Sequence, residues 1–178
     1  MRNCGRARAI GKFEKGRSLL FMAGIMWLAV CSGARLSGQS LQLSAPKAAP
    51  GEWITIEISL KSPPGKEILA LQWEAEIPAR KLDLEPARIM RAVLAVRDDG
   101  KSITCAVIQE SRDARTVRCI LAGGQRTIRD GIVALFSLKI LENVQPGTAR
   151  VRLQNAVAVS RNLERVPLET SETTVTVQ

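Results

Sequence analysis

Histidine and tyrosine are missing from this 178-residue sequence, and only three tryptophans and three phenylalanines are present. Without histidine the chain has no Ser–His–Asp or Cys–His arrangement, no imidazole metal site and none of the commonest general base. So few rings also remove the stacking platforms on which single-stranded nucleic acids lie. A phosphate-cradling loop is lacking as well, since Gly123-Gly124 has neither the lysine nor the following helix that such a loop needs. These absences point away from enzymes, from cofactor or metal chemistry and from nucleic-acid partners.

Long apolar runs are scarce too. One of them, LLFMAGIMWLAV (19–30), follows a basic start of Arg2, Arg6, Arg8, Lys12, Lys15 and Arg17 and precedes the small residues Ser32, Gly33 and Ala34. That three-part layout is the pattern of a secretory signal, with cleavage expected after Ala34. The run is shorter than the ~20 residues of a membrane span, and Val30 directly before Cys31 fits a lipoprotein signal poorly. The sequence therefore predicts a signal peptide over 1–34 and an exported domain over 35–178, extracellular or periplasmic, with no stable membrane span after cleavage. Of the net charge of +9, the leader holds +5 and the domain +4, too little to imply nucleic-acid binding. The excess is uneven: residues 79–129 carry eleven Lys/Arg against six Asp/Glu, which reads either as a solvated face or as a docking surface for an acidic partner.

What is present is alternation. EWITIEISL (52–60) sets Ile54, Ile56, Ile58 and Leu60 on one face and Thr55, Glu57 and Ser59 on the other, as a half-buried strand does. KSPPGK (61–66) stops it. EILALQWEAEI then turns Leu69, Leu71, Trp73, Ala75 and Ile77 inward and Gln72, Glu74 and Glu76 outward, the two glutamates as solvated charges. In LDLEPARIMRAVLAV, Pro86 suits the first position of one or two helical turns, with Ile89, Met90 and Val93 inward. DDGK (98–101) reads as a turn rather than a calcium loop.

KSITCAVIQE and RTVRCILA form a hairpin across SRDA. Centring it on Arg112 sets Cys105 opposite Cys119, and directly opposed antiparallel residues lie within disulfide range. The expectation is a disulfide, against two buried thiols. GIVALFSLKI (131–140) is too short for a span, and a helix would bring Lys139 onto its apolar stripe, so it reads as a strand covered on both faces at its start. Pro146-Gly147 turns the chain into TARVRLQNAVAVS, and ETTVTVQ ends it. The expected fold class is all-β, a sandwich of eight to nine strands with at most one short helix.

Several segments in this order resemble a cohesin domain, the jelly-roll module of cellulosome scaffolds. They are APGEWITIEISL (49–60), LALQWEAEIPARKLDLEP (69–86), and DGIVALFSLKILENVQPGTARVRLQNAVAVS (130–160) with its Pro-Gly-Thr turn and Leu-x-Asn strand end. The resemblance spans roughly residues 41–178, and residues 87–129 depart from it. It implies a jelly-roll sandwich without catalytic activity that docks a protein partner, dockerin-like, through one sheet face that includes central strands. It also implies a setting in a polysaccharide-degrading or cell-surface assembly. The departure leaves the contact residues unassigned, and the basic outward side of the central hairpin, Arg112, Arg115 and Arg118, is the candidate. Carbohydrate-binding modules share the sandwich superfamily. Their use of exposed aromatics makes a polysaccharide the alternative partner, with Trp53, which has outward parity, as the one contact. A third reading is self-association through edge strands.

Overall fold

The computed structural model describes residues 38–91 and 100–178, apart from the side chains of 86–88, 90 and 91. The expected leader, Val93 and the Asp98-Asp99 turn lie outside the described residues. Among the described residues, no helix is long and apolar enough to cross a membrane.

Strands alone build the described chain. Five of them, β1 (Ser40–Leu43), β3 (Trp53–Lys61), β5 (Leu82–Arg91), β8 (Gly131–Ile140) and β11 (Glu169–Thr170), form one sheet in the order β11-β1-β3-β8-β5. The other sheet runs β2-β12-β9-β4-β7-β6, from β2 (Lys47–Ala48), β12 (Glu172–Val177), β9 (Gly147–Ser160), β4 (Ile68–Ile77), β7 (Arg115–Ala122) and β6 (Ser102–Glu110). β10 (Arg165–Pro167) pairs with β9 outside that path. The eight to nine expected strands are all here, and the surplus consists of β2, β10 and β11, pieces of two or three residues at strand edges.

The inner faces of the two sheets make a single core. Ile56, Ile58 and Leu60 from β3 meet Trp73 and Ile77 from β4, Phe136 and Leu138 from β8, and Val151 and Leu153 from β9, all at 1% exposure or less. Period-two alternation predicts this set because a pleated strand sends successive side chains to opposite faces.

The departures from simple alternation fall at bulges. In β4 the register shifts between Ile68 and Ala70, so Ile68 is buried and Leu69, expected inside, is only half-buried. In β8, Val133 is the extra residue at the shift opposite Ile58/Ser59, so it and Ala134 are both fully buried, while Ile132 and Leu135 on the outer face are half-buried. Among the described residues, the short helix expected after Pro86 is absent. β5 continues as strand through Arg91 with a register shift between Leu84 and Ile89. A bulge accommodates a residue that cannot donate to the ladder, and Ile89 still faces inward at 9% exposure.

Candidate functional site: the outer face of the seven-stranded sheet

The central hairpin keeps its expected cysteine register by compensation. Its turn is the four-residue Ser111–Ala114, closed by the Ser111 N–H donating to Ala114 O (2.9 Å). A turn of that length shifts the pairing by one from a hairpin centred on Arg112, as Glu110↔Arg115 and Gln109↔Thr116 show. A shift between Val107 and Gln109 then restores the pairs Val107↔Val117 and Cys105↔Cys119. The cysteines form the disulfide, with S–S 2.04 Å and Cα–Cα 4.1 Å.

The three arginines of this hairpin do not share a face. Arg112 sits in the turn and is exposed. Arg115, expected outward, has the inward parity of Val117 and Cys119 and crosses to the other sheet. There it donates to Asp83 Oδ1 (3.1 Å) and Leu84 O (2.9 Å) of β5, while it pairs with Glu110 on β6 (2.6 Å). The hydrogen bond that Arg115 donates to Glu110 above all, with the one to Asp83 behind it, raises the Arg115 pKa against the opposing effect of burial. Arg115 therefore ties the two sheets together. Only Arg118 lies on the open face.

That face is an array of cross-strand rows. Ala106, Arg118, Glu74 and Gln154 are successive partners across β6, β7, β4 and β9. On one side of this row run Thr104, Ile120, Gln72 and Val157, and on the other Thr116, Glu76, Arg152 and Glu172. Arg118 pairs with Glu74 (2.6 Å), Arg152 with Glu76 (3.0 Å) and Arg150 with Glu172 (3.7 Å). Ile120 stands 44% exposed beside the first of these pairs.

Glu74 is the unexpected member. Read from sequence as a solvated charge, it is only 5% exposed. The cause is a bulge in β9: Gln72 pairs with Val157 but Glu74 with Gln154, so β9 carries an extra residue between them. Asn155 occupies the bulge at φ +50°, a left-handed conformation that asparagine tolerates better than most non-glycine residues. From there its amide donates to Glu74 Oε2 (2.7 Å), while Arg118 donates to Oε1 from Nε (3.0 Å) and Nη2 (2.6 Å). The bulge also switches the inward set of β9 from Ala149, Val151 and Leu153 to Ala156 and Ala158. The one sequence signal for this arrangement was the Leu-x-Asn strand end.

The Asn155 hydrogen bond, and after it Arg118, holds the Glu74 carboxyl below its ordinary 4.5, against burial, which pushes it up. A depressed carboxyl is a poor proton donor, so Glu74 does not suit the raised acid that glycoside hydrolysis requires. For a carboxyl lowered on folding, the stabilisation is complete above the unfolded-state value and fades as pH falls through the folded value. Glu74→Gln is therefore expected to destabilise the domain by a constant amount above about pH 5. The gap to the parent protein should narrow as pH falls below the ordinary carboxyl value of 4.5 and on through the lower folded-state value, as urea unfolding at a series of pH values would show.

Trp53 lies on the other sheet, paired with Lys139 at the start of β3 and 43% exposed, on the side of Thr55 and Glu57. The other described rings, Trp73 and Phe136, are buried in the core, so among the described residues no second aromatic stands beside it to make a sugar platform.

No known protein-family profile matches the sequence, and no curated protein matches it either. Solved structures do. A chain of a type I cohesin–dockerin complex from Clostridium thermocellum superposes with a TM-score of 0.66 at 16% identity, covering 79% of this chain and 99% of that one. The cohesin module of a family 33 glycoside hydrolase from Clostridium perfringens gives 0.65 at 14% identity, over 79% and 97%. A non-cellulosomal cohesin from the archaeon Archaeoglobus fulgidus gives 0.60 at 10%, over 80% and 92%. The two sheets, their strand order and these superpositions together make the chain a cohesin-like β-sandwich domain.

Proposed function

We propose that this protein is an exported, non-catalytic interaction module. It docks a protein partner, dockerin-like in kind, through the outer face of β9, β4, β7 and β6. The observation that carries the reading is Glu74, a fixed charge at the centre of an open sheet face, oriented from both sides by Arg118 and Asn155. Pre-oriented polar groups around an exposed apolar residue such as Ile120 suit a protein surface, because no ordering cost remains to be met on binding. In the Clostridium thermocellum complex, a protein of this fold is bound to a dockerin. The disulfide supports export to an oxidising compartment, and a place in a polysaccharide-degrading or surface assembly follows from the resemblance to cohesins.

Of the three hairpin arginines, Arg118 is the contact this reading retains. Immobilised protein is expected to capture a partner from the secreted proteins of its source organism, and Arg118→Glu should lose that partner by at least about tenfold. Arg118→Glu also sets a second carboxylate against the buried Glu74, so Arg118→Gln, which keeps an amide donor for Glu74, is run beside it and should keep a native circular-dichroism spectrum while weakening capture severalfold. Arg115→Glu, by contrast, breaks the link between the sheets and should lose stability first. Capture unchanged by Arg118→Glu would remove this face from consideration. Retention on insoluble polysaccharide abolished by Trp53→Ala would favour the carbohydrate reading in its place.

A further inference from the structure

Three neighbouring strands of the five-stranded sheet, β1, β3 and β8, gather oxygen-bearing side chains at one end of the sandwich. The β1–β3 ladder stops at Ser40↔Lys61, with Gln39 just before β1 and Ser62 just after β3. Leu41 and Leu60, paired and fully buried, lie two residues back along the same strands, so Gln39 and Ser62 share their inward parity. β8 starts beside them. Asp130, directly before Gly131, accepts the Ser62 N–H on both carboxylate oxygens (3.0 and 3.1 Å). The chain then turns through Pro63–Lys66, where the Lys66 N–H donates to Pro63 O (3.1 Å) and Gly65 takes a φ of +77°. Gln39 is only 7% exposed, and its Nε2 donates to Lys66 O (2.9 Å).

Two atoms of this cluster are anomalous. Gln39 Oε1 and Ser62 Oγ are buried without a hydrogen-bond partner, a cost that native structures rarely leave unmet. The amide orientation is fixed, because a carbonyl such as Lys66 O takes its bond from Nε2 alone, and Oε1 is left as a pure acceptor. Ser62 Oγ adds lone pairs and Asp130 a carboxylate, so three side chains present oxygen together. An anion there meets only repulsion, and an apolar group leaves both orphans unmet. A hard cation is coordinated by carboxylate, amide carbonyl and hydroxyl oxygens alike. An entry path exists as well: a cavity of ≈ 390 Å³, lined by Ser62–Glu67 and Thr127–Asp130, reaches both Ser62 and Asp130. Lys66 and Arg129 on its wall oppose a cation, and Glu67 is already engaged by Arg161. One carboxylate with two neutral oxygens is therefore a sparse ligand set, suited to the weak binding, ~10⁻⁴–10⁻³ M, of calcium modules that work outside cells.

We propose that Gln39 Oε1, Ser62 Oγ and the Asp130 carboxylate hold a calcium ion, with main-chain carbonyls and water completing its shell. The site lies at strand ends rather than on the docking face, so either assignment stands or falls without the other. Thermal melting of chelator-stripped protein, titrated with calcium, magnesium and sodium chlorides at fixed ionic strength, tests it. Calcium should raise the melting temperature saturably, by on the order of 3–5 °C at tenfold excess over half-saturation. Magnesium, which demands near-ideal octahedral ligands, and sodium should need at least tenfold higher concentrations. Calcium should also shift the amide resonances of 39–40, 62, 65–66 and 130–131, and leave those of 72–76 and 116–120 in place. Asp130→Asn keeps an oxygen for the Ser62 N–H but removes the charge, and should weaken calcium binding tenfold or more. Ser62→Ala covers the case in which that variant fails to fold, and it separates a ligand from a merely buried hydroxyl. Without calcium it should melt no lower than the parent, whereas its affinity for calcium should fall severalfold. A Ser62→Ala variant with the parent's calcium response, equal stabilisation by magnesium, or resonance shifts elsewhere would overturn the assignment. The absence of any saturable stabilisation would do the same and give the two orphaned atoms to ordered water.

Discussion

Opening the Cys105–Cys119 disulfide is expected to destabilise the domain by about 3 kcal/mol, the chain-entropy value for a closed loop of about 15 residues. Melting should then fall by on the order of 10 °C. The bridge joins β7 to β6, the edge strand of its sheet. Cys119 is fully buried, whereas every β6 residue is exposed or half-buried, with Val107 and Ile108 at 37% and 44%. An edge strand with so little burial depends on its ladder and on this covalent tie, so the loss should concentrate there. Hydrogen exchange of the β6 amides should accelerate in the reduced protein while that of β3 and β4 is little changed. The double variant C105A/C119A avoids burying a new hydroxyl at position 119 and should match the reduced parent. Oxidised and reduced forms melting together would show that the hairpin stands without its staple.

Trp73→Ala is expected to cost about 3–5 kcal/mol, as large-to-small changes at fully buried aromatic sites do. Trp73 is 0% exposed at the middle of β4, where its ladder partner is Cys119. Typical domains have only ~5–15 kcal/mol in total, so this variant should be marginal at 37 °C. Trp73 Nε1 is buried without a hydrogen-bond partner, and an orphan donor carries its own desolvation cost. Trp73→Phe removes that donor while keeping most of the ring, so its loss should be well under half that of the alanine variant. Urea midpoints of the two variants beside the parent would check both parts, and a phenylalanine as damaging as alanine would contradict the assignment of the indole nitrogen.

Much of the fold was legible because alternation is a local property. Ile54, Ile56, Ile58 and Leu60 lie inward for the reason their spacing suggests, and Cys105 meets Cys119 as the pairing required. The residues misread sit where a bulge alters the count: Leu69, Glu74 and the stretch after Pro86. A bulge depends on the partner strand as much as on its own, so no single stretch of sequence announces it. Arg115 was misread for a related reason. Its inward parity was visible, but its partner Asp83 belongs to the opposite sheet.

By itself, then, the sequence determined an all-β chain without the side chains of histidine or tyrosine chemistry, the inward set of each regular strand, and a cysteine pair in register. Periodicity and composition act residue by residue, and they survive without knowledge of neighbours. Tertiary structure alone decided that Glu74 is a held charge rather than a solvated one, because Asn155 reaches it from a bulge 81 residues away. It alone decided that the hairpin arginines part company, and that Gln39, Ser62 and Asp130 gather at one end of the sandwich. Those facts depend on which strands lie side by side, and strand order follows from burying two apolar faces together rather than from any one segment.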